Sequence, residues 1–165
     1  MKRPLAICIL LAAAATGPAL AAPNVAAVRV AIGPDLAKKT EIMDAREFDY
    51  LSKQLQQSIE KKLDRSGSLS PDGGDLYLVI EDARPNRPTL QQMSSQPGLS
   101  FSSFGVGGAH LSGEYRAKSG ERTPVDYSWY ETDITRAPYN STWSDADTAF
   151  DRLANKLVKN EFSGR

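Results

Sequence analysis

His110 is the only imidazole in the chain. Imidazole exchanges its proton near neutral pH, so His110 is the natural candidate for a general base. A nucleophile beside it would have to come from Ser100, Ser102, Ser103 or Ser112, with an Asp or Glu orienting the ring. No Gly-x-Ser-x-Gly elbow occurs in the sequence. Alternation around His110 places it among polar residues on a strand face, the setting of an exposed bystander. A small hydrolase using His110 and a loop serine therefore stands as an alternative reading, behind a non-catalytic one.

Arg84 and Arg87 flank Pro85-Asn86, and Pro88 follows. Proline fixes the backbone, so two guanidinium forks are presented in a defined geometry at a strand end. They suit a carboxylate, a phosphate or a partner protein. Alternatively they pair inward, with Asp82 or Glu81, and tie down the segment that follows.

Gly105, Gly107 and Gly108 form a glycine cluster with Val106. Backbone amides in such a cluster can cradle an anion. No Lys-Ser/Thr follows, and a strand rather than a helix comes next, so this is not a phosphate-binding P-loop. The preferred reading is tight chain passage close to neighbouring backbone.

Glu81, Asp82, Asp126, Glu131 and Asp133 are carboxylates borne on or beside strands. A pair of them suits hydrolysis or calcium. Charges that protect sheet edges account for them equally well. Asp145 and Asp147 belong at a helix start, where the dipole favours anions. Among the aromatics, alternation directs Tyr127 and Trp129 inward and Tyr130 to the opposite face. Tyr130 and Tyr139 are then the exposed members of any platform for sugar or peptide.

Composition narrows these chemistries. The 165 residues carry 20 Lys+Arg, 20 Asp+Glu, one Cys and one His. Zero net charge argues against nucleic-acid binding. One Cys and one His cannot make a Cys/His zinc site or an internal disulfide. No metal and no cofactor is expected. At 41% hydrophobic and 24% charged the chain is globular in composition.

Residues 1–21 read as a secretory signal peptide. Lys2 and Arg3 are the positive start, Leu5 to Ala15 the apolar run, and Ala19-Leu20-Ala21 a small-x-small cleavage site. The apolar run is shorter than the about 20 residues that span a bilayer. Cys8 follows Ile7 early in the run, so no lipobox is formed. Removing residues 1–21 takes Lys2 and Arg3 from the 20 basic side chains, leaving 18 against 20 acidic ones. The expected location is periplasmic or secreted.

The elements that must position the candidate residues follow from periodicity. Val25 to Ile32 alternates as a strand. Asp44 to Arg65 is the strongest helix: Asp44 caps it, Glu47 stands three residues on as in a capping box, and Phe48, Leu51, Leu55, Ile59 and Leu63 form one stripe. Asp75 to Ala83 is apolar on both faces, as in a central strand. Residues 84–108 read as a long loop without periodicity, either functional or mobile. Ala109 to Ala117 and Val125 to Asp133 make an antiparallel hairpin. Ser144 is expected to cap a final helix striped by Ala146, Ala149, Phe150, Leu153 and Leu157, with Phe162 continuing it. The first two strands, joined through a helix, suit a parallel right-handed crossover. The expectation is an α+β domain over residues 22–165: a two-layer sandwich, β-α-β-β-β-α, with a mixed sheet and two helices on one face.

This layout resembles the small domains of bacterial envelope proteins such as the curli-assembly lipoprotein and the N-terminal domain of the Tol-system protein TolB. The segments Asp82-Ala83-Arg84-Pro85-Asn86-Arg87-Pro88, Phe104-Gly105-Val106-Gly107-Gly108-Ala109 and Thr142-Trp143-Ser144-Asp145-Ala146 resemble the signature of a family of exported proteobacterial proteins of unknown function. The resemblance implies a non-enzymatic role. The function expected is an exported envelope protein that binds a protein partner or envelope component, with a homodimer possible through an open sheet edge. A cell-wall or glycan-binding module is a further alternative.

Overall fold

The computed structural model describes residues 23–161. The signal-peptide reading of residues 1–21 and the Phe162 extension of the last helix lie outside them.

The sheet has four strands in the order β1 (Val25–Ile32), β2 (Gly74–Arg84), β3 (Gly108–Arg116), β4 (Arg122–Tyr130). β1 and β2 are parallel; β2, β3 and β4 run antiparallel in turn. β2 is flanked by a strand on each edge, the central position expected for it. The mixed α+β class is as the periodicity predicts.

The link from β1 to β2 contains a single turn, α1 (Pro34–Ala37), and the long helix α2 (Ala45–Arg65). Asp44 caps α2 by accepting from the amides of Arg46 and Glu47. The Glu47 side chain does not return the bond, as a capping box would have it. Its carboxylate accepts instead from the indole Nε1 of Trp143. Leu51, Leu55, Ile59 and Leu63 are all fully buried, each contributing about 1.5–3 kcal/mol on removal from water. The last helix, α4 (Ser144–Val158), packs against α2 and over β3 and β4. Ala146, Ala149, Phe150, Leu153 and Leu157 join Leu76, Leu78, Ile80, Leu111 and Val125 in one core.

Several boundaries differ from expectation. Trp143, not Ser144, occupies the cap position of α4 and offers no side-chain cap. Ser144 instead turns back to accept from the Ser141 amide. β4 begins at Arg122 and ends at Tyr130, so Glu131 and Asp133 are off the strand. The segment after β2 is not without structure. It contains α3 (Leu90–Ser95), started by a reciprocal capping box between Thr89 and Gln92. A 3₁₀ turn, Ile134–Tyr139, follows β4.

Candidate functional site

The end of β2 carries the first group of candidates. Ile80 pairs with Leu111 and Asp82 with His110, so Glu81 is the extra residue of a bulge. Both carboxylates reach the sheet face away from the helices: Glu81 accepts from Ser112 and Asp82 from Tyr130. Asp82 is the hub. Lys39 Nζ lies 2.7 Å from Oδ1, Tyr130 Oη 2.7 Å from Oδ2, and Arg84 Nε 3.6 Å from Oδ2. Arg84 also lies over the Tyr130 ring at 4.6 Å, within cation–π range. Burial opposes the charge on Asp82, but Lys39 and the Tyr130 hydroxyl prevail and hold its pKa below the usual carboxylate value. Burial, and then the Asp82 carboxylate, push the Tyr130 phenol up.

His110 faces the same side as Asp82. Its Nε2 is 2.9 Å from Asp126 Oδ1. Three of the four serines proposed to serve it are engaged elsewhere, and Ser102 makes no bond to it. The Ser112 hydroxyl donates to Glu81, and Ser100 and Ser103 bond within their own turn. No hydrogen bond joins His110 to a serine among the described residues.

Arg84 and Arg87 do not converge on one point. Arg87 turns inward and spends its guanidinium on three backbone carbonyls: Asn140 O at 2.7 Å from Nε, Phe101 O at 2.8 Å and Pro138 O at 2.6 Å. Arg84 lies beside Asp82 with its side chain largely exposed, whereas Arg87 binds carbonyls rather than Asp82 or Glu81.

Asn86, one residue earlier, is fully buried and makes a second knot. Its Nδ2 donates to Asp145 Oδ2 and to Gly105 O, and its Oδ1 accepts from the Asp145 amide. The Gly107 amide donates to Asp145 Oδ2 at 2.8 Å, and Asn140 Nδ2 donates to Oδ1 at 3.0 Å. A buried carboxylate is here held by neutral donors at a helix start. The three sequence segments quoted above therefore meet at one place. Gly107 is required there, since a β-carbon on it would stand 2.5 Å from Arg84 O and 3.0 Å from Asn86 Oδ1. Gly108, at φ +149°, passes just as close to Trp129 O. Close backbone approach is what Gly107 and Gly108 provide, while Gly105 meets nothing within 4 Å.

Several apolar side chains are exposed on the segments that these knots hold. Phe101 is 73% exposed and Tyr139 91%. Phe104, Val106 and Ile134 are exposed as well. The Glu131 amide donates to Gly107 O at 2.9 Å, tying the segment after β4 to the chain just before β3. Of this set only Tyr139 is a candidate from the sequence. Large apolar residues isolated within polar loops were the available signal for the others. Tyr130, by contrast, is half-buried and bonded to Asp82.

Across the helices, Tyr50 Oη donates to Asp147 Oδ2 at 3.1 Å, while Asp147 Oδ1 is buried without a partner. Burial raises the Asp147 pKa despite that bond. Burial and then Asp147 push Tyr50 up to about 12.

Among the described residues, no group of three or more His, Cys, Asp or Glu is placed to hold a metal, and no helix is long and apolar enough to cross a membrane. No protein-family model matches the chain, and no curated protein matches it by sequence.

Proposed function

We propose that this is a non-catalytic, exported protein of the cell envelope that binds a protein partner through the surface formed by Phe101, Phe104, Val106, Ile134 and Tyr139. The observation that carries this reading is the Arg87 fork. It fastens the backbone at Phe101 and at Pro138, so two strongly exposed aromatic rings stand on anchored segments. Ordering such rings beforehand lowers the entropy lost on binding. Aromatic side chains set in a polar rim are the composition of protein interfaces. Export rests on the leader-like residues 1–21 and on the signature resemblance.

The test is affinity capture from envelope extract with the wild type and with the Phe101→Ala/Tyr139→Ala pair. Recovery of the same defined protein by the wild type alone supports the reading. Equal recovery by both, or recovery of nothing, overturns it. Hydrolysis of an ester, peptide or glycan that is lost in His110→Ala would favour the hydrolase alternative. Sedimentation with cell-wall material would favour the glycan one.

A further inference from the structure

The two edges of the sheet are unequal. β4 carries Pro124, which has no amide, together with Arg122 and Asp126; such residues discourage a further strand. β1 lacks these guards between Val28 and Ile32, where Arg29 is the only charge. The start of that edge is already occupied. The Val25 amide donates to Ser68 O and its carbonyl accepts from the Ser70 amide, both at 2.8 Å. At the other end the Gly33 amide donates to Ile80 O of β2. Alternation then turns the amides and carbonyls of Val28, Val30 and Ile32 away from β2, and no strand of the sheet lies beyond them among the described residues.

We propose that this edge pairs antiparallel with the same edge of a second copy, about a two-fold axis at Val30, to form one continuous sheet. The register follows from the side chains. With the axis at Val30, Val30 faces Val30, Val28 faces Ile32, and Arg29 faces Ala31. An axis at Arg29 would oppose two guanidiniums, which is unfavourable. Val30 and Ile32 are only partly buried in the single chain, and a partner strand covers them.

Charge agrees with the register. Arg29 lies loosely over the Tyr77 ring, at 5.8 Å. Glu81 uses Oε1 for Ser112, and its Oε2 stands beside Gly33, 2.6 Å from where a β-carbon would be. Facing Ala31, the Arg29 of one copy lies diagonal to Gly33 of the other and within reach of that carboxylate. Symmetry makes the ion pair twice. The pairing uses backbone and side chains separate from the Phe101–Tyr139 surface and does not depend on the function proposed for it.

Sedimentation equilibrium of the purified chain carrying Cys8→Ser tests this. The wild-type edge is expected to give a dimer. Val30→Pro removes an edge-facing amide that β2 does not use, and gives a monomer with unchanged far-ultraviolet circular dichroism. If that variant fails to fold, Arg29→Glu replaces it. Arg29→Glu raises the dimer dissociation constant about tenfold or more, and adding Glu81→Arg restores it. In the predicted register two Ala31→Cys thiols come from α-carbons about 8 Å apart, so a short bis-maleimide joins them. A monomer at concentrations up to about 1 mM, or a dimer insensitive to the folded edge variants, overturns the proposal.

Discussion

Asn86 and Asp145 hold each other reciprocally: the Asn86 amide nitrogen donates to the Asp145 carboxylate, and the Asp145 backbone amide donates back to Asn86 Oδ1 at 2.9 Å. The two are 59 positions apart in sequence. The contact closes the segment after β2 onto the start of α4, and the backbone of Gly105 and Gly107 is threaded through it.

Breaking that pair from either side strands buried donors. Asn86→Ala and Asp145→Ala should each lower unfolding stability by about 2–4 kcal/mol, read from urea denaturation midpoints. The double variant should lose less than the sum, because the two changes remove one shared network. Additive losses would show that the residues act independently.

Gly107→Ala should be at least as damaging as either, because its β-carbon would collide with backbone at Arg84. Gly105→Ala meets nothing within 4 Å and should be tolerated within about 0.5 kcal/mol. Thermal unfolding of the two variants distinguishes a steric requirement at Gly107 from a general need for flexible glycine.

Arg87→Met keeps an apolar stem and removes the fork. Hydrogen exchange should quicken around Phe101 and Pro138 while protection of β2 and β3 stays as in the wild type. Unchanged exchange around Phe101 would mean that the fork does not anchor that segment.

Asp147→Asn should stabilise the protein at neutral pH. Burial raises the folded pKa of Asp147 above its unfolded value, so its favourable contribution is complete below the unfolded pKa and fades as pH rises through the folded one. The melting-temperature advantage of the asparagine variant should therefore be small in acid and grow toward pH 7. An advantage largest in acid would contradict this.

Asp82 has the opposite sign. Burial opposes its charge, yet the Lys39 and Tyr130 hydrogen bonds lower its folded pKa. Its contribution is present above the unfolded pKa and is lost as pH falls through the folded one. Lys39→Met and Tyr130→Phe should each raise the Asp82 pKa in a carboxyl-resolved NMR titration.

Local signals were legible in the sequence and long-range ones were not. The Asp44 cap and the Leu51, Leu55, Ile59, Leu63 stripe define α2 because both depend on residues within one or two turns. α3 had its signal too, in Thr89 followed three residues later by Gln92, but the surrounding prolines and serines obscured it. β4 slid because Val125, Tyr127 and Trp129 fix its face without fixing its ends, and Pro124 disguises a start that lies at Arg122. At the candidate site, proline geometry indicated that Arg84 and Arg87 would be fixed, but what fixes Arg87 is three carbonyls more than ten residues away. Such partners leave no periodic trace. Nor do the exposed Phe101 and Phe104, whose role depends on which loops the fold brings together.

If the anchored aromatic side chains receive a protein as proposed, that protein lies within crosslinking distance of Tyr139. A photo-crosslinking amino acid placed at Tyr139, in cells expressing the chain, captures it. One discrete crosslinked protein is expected, which disappears with Phe101→Ala in the same chain and persists with the probe-bearing chain altered at His110→Ala. Absence of any discrete adduct at Tyr139, with one formed from a probe at Lys61 on α2, would overturn the proposal.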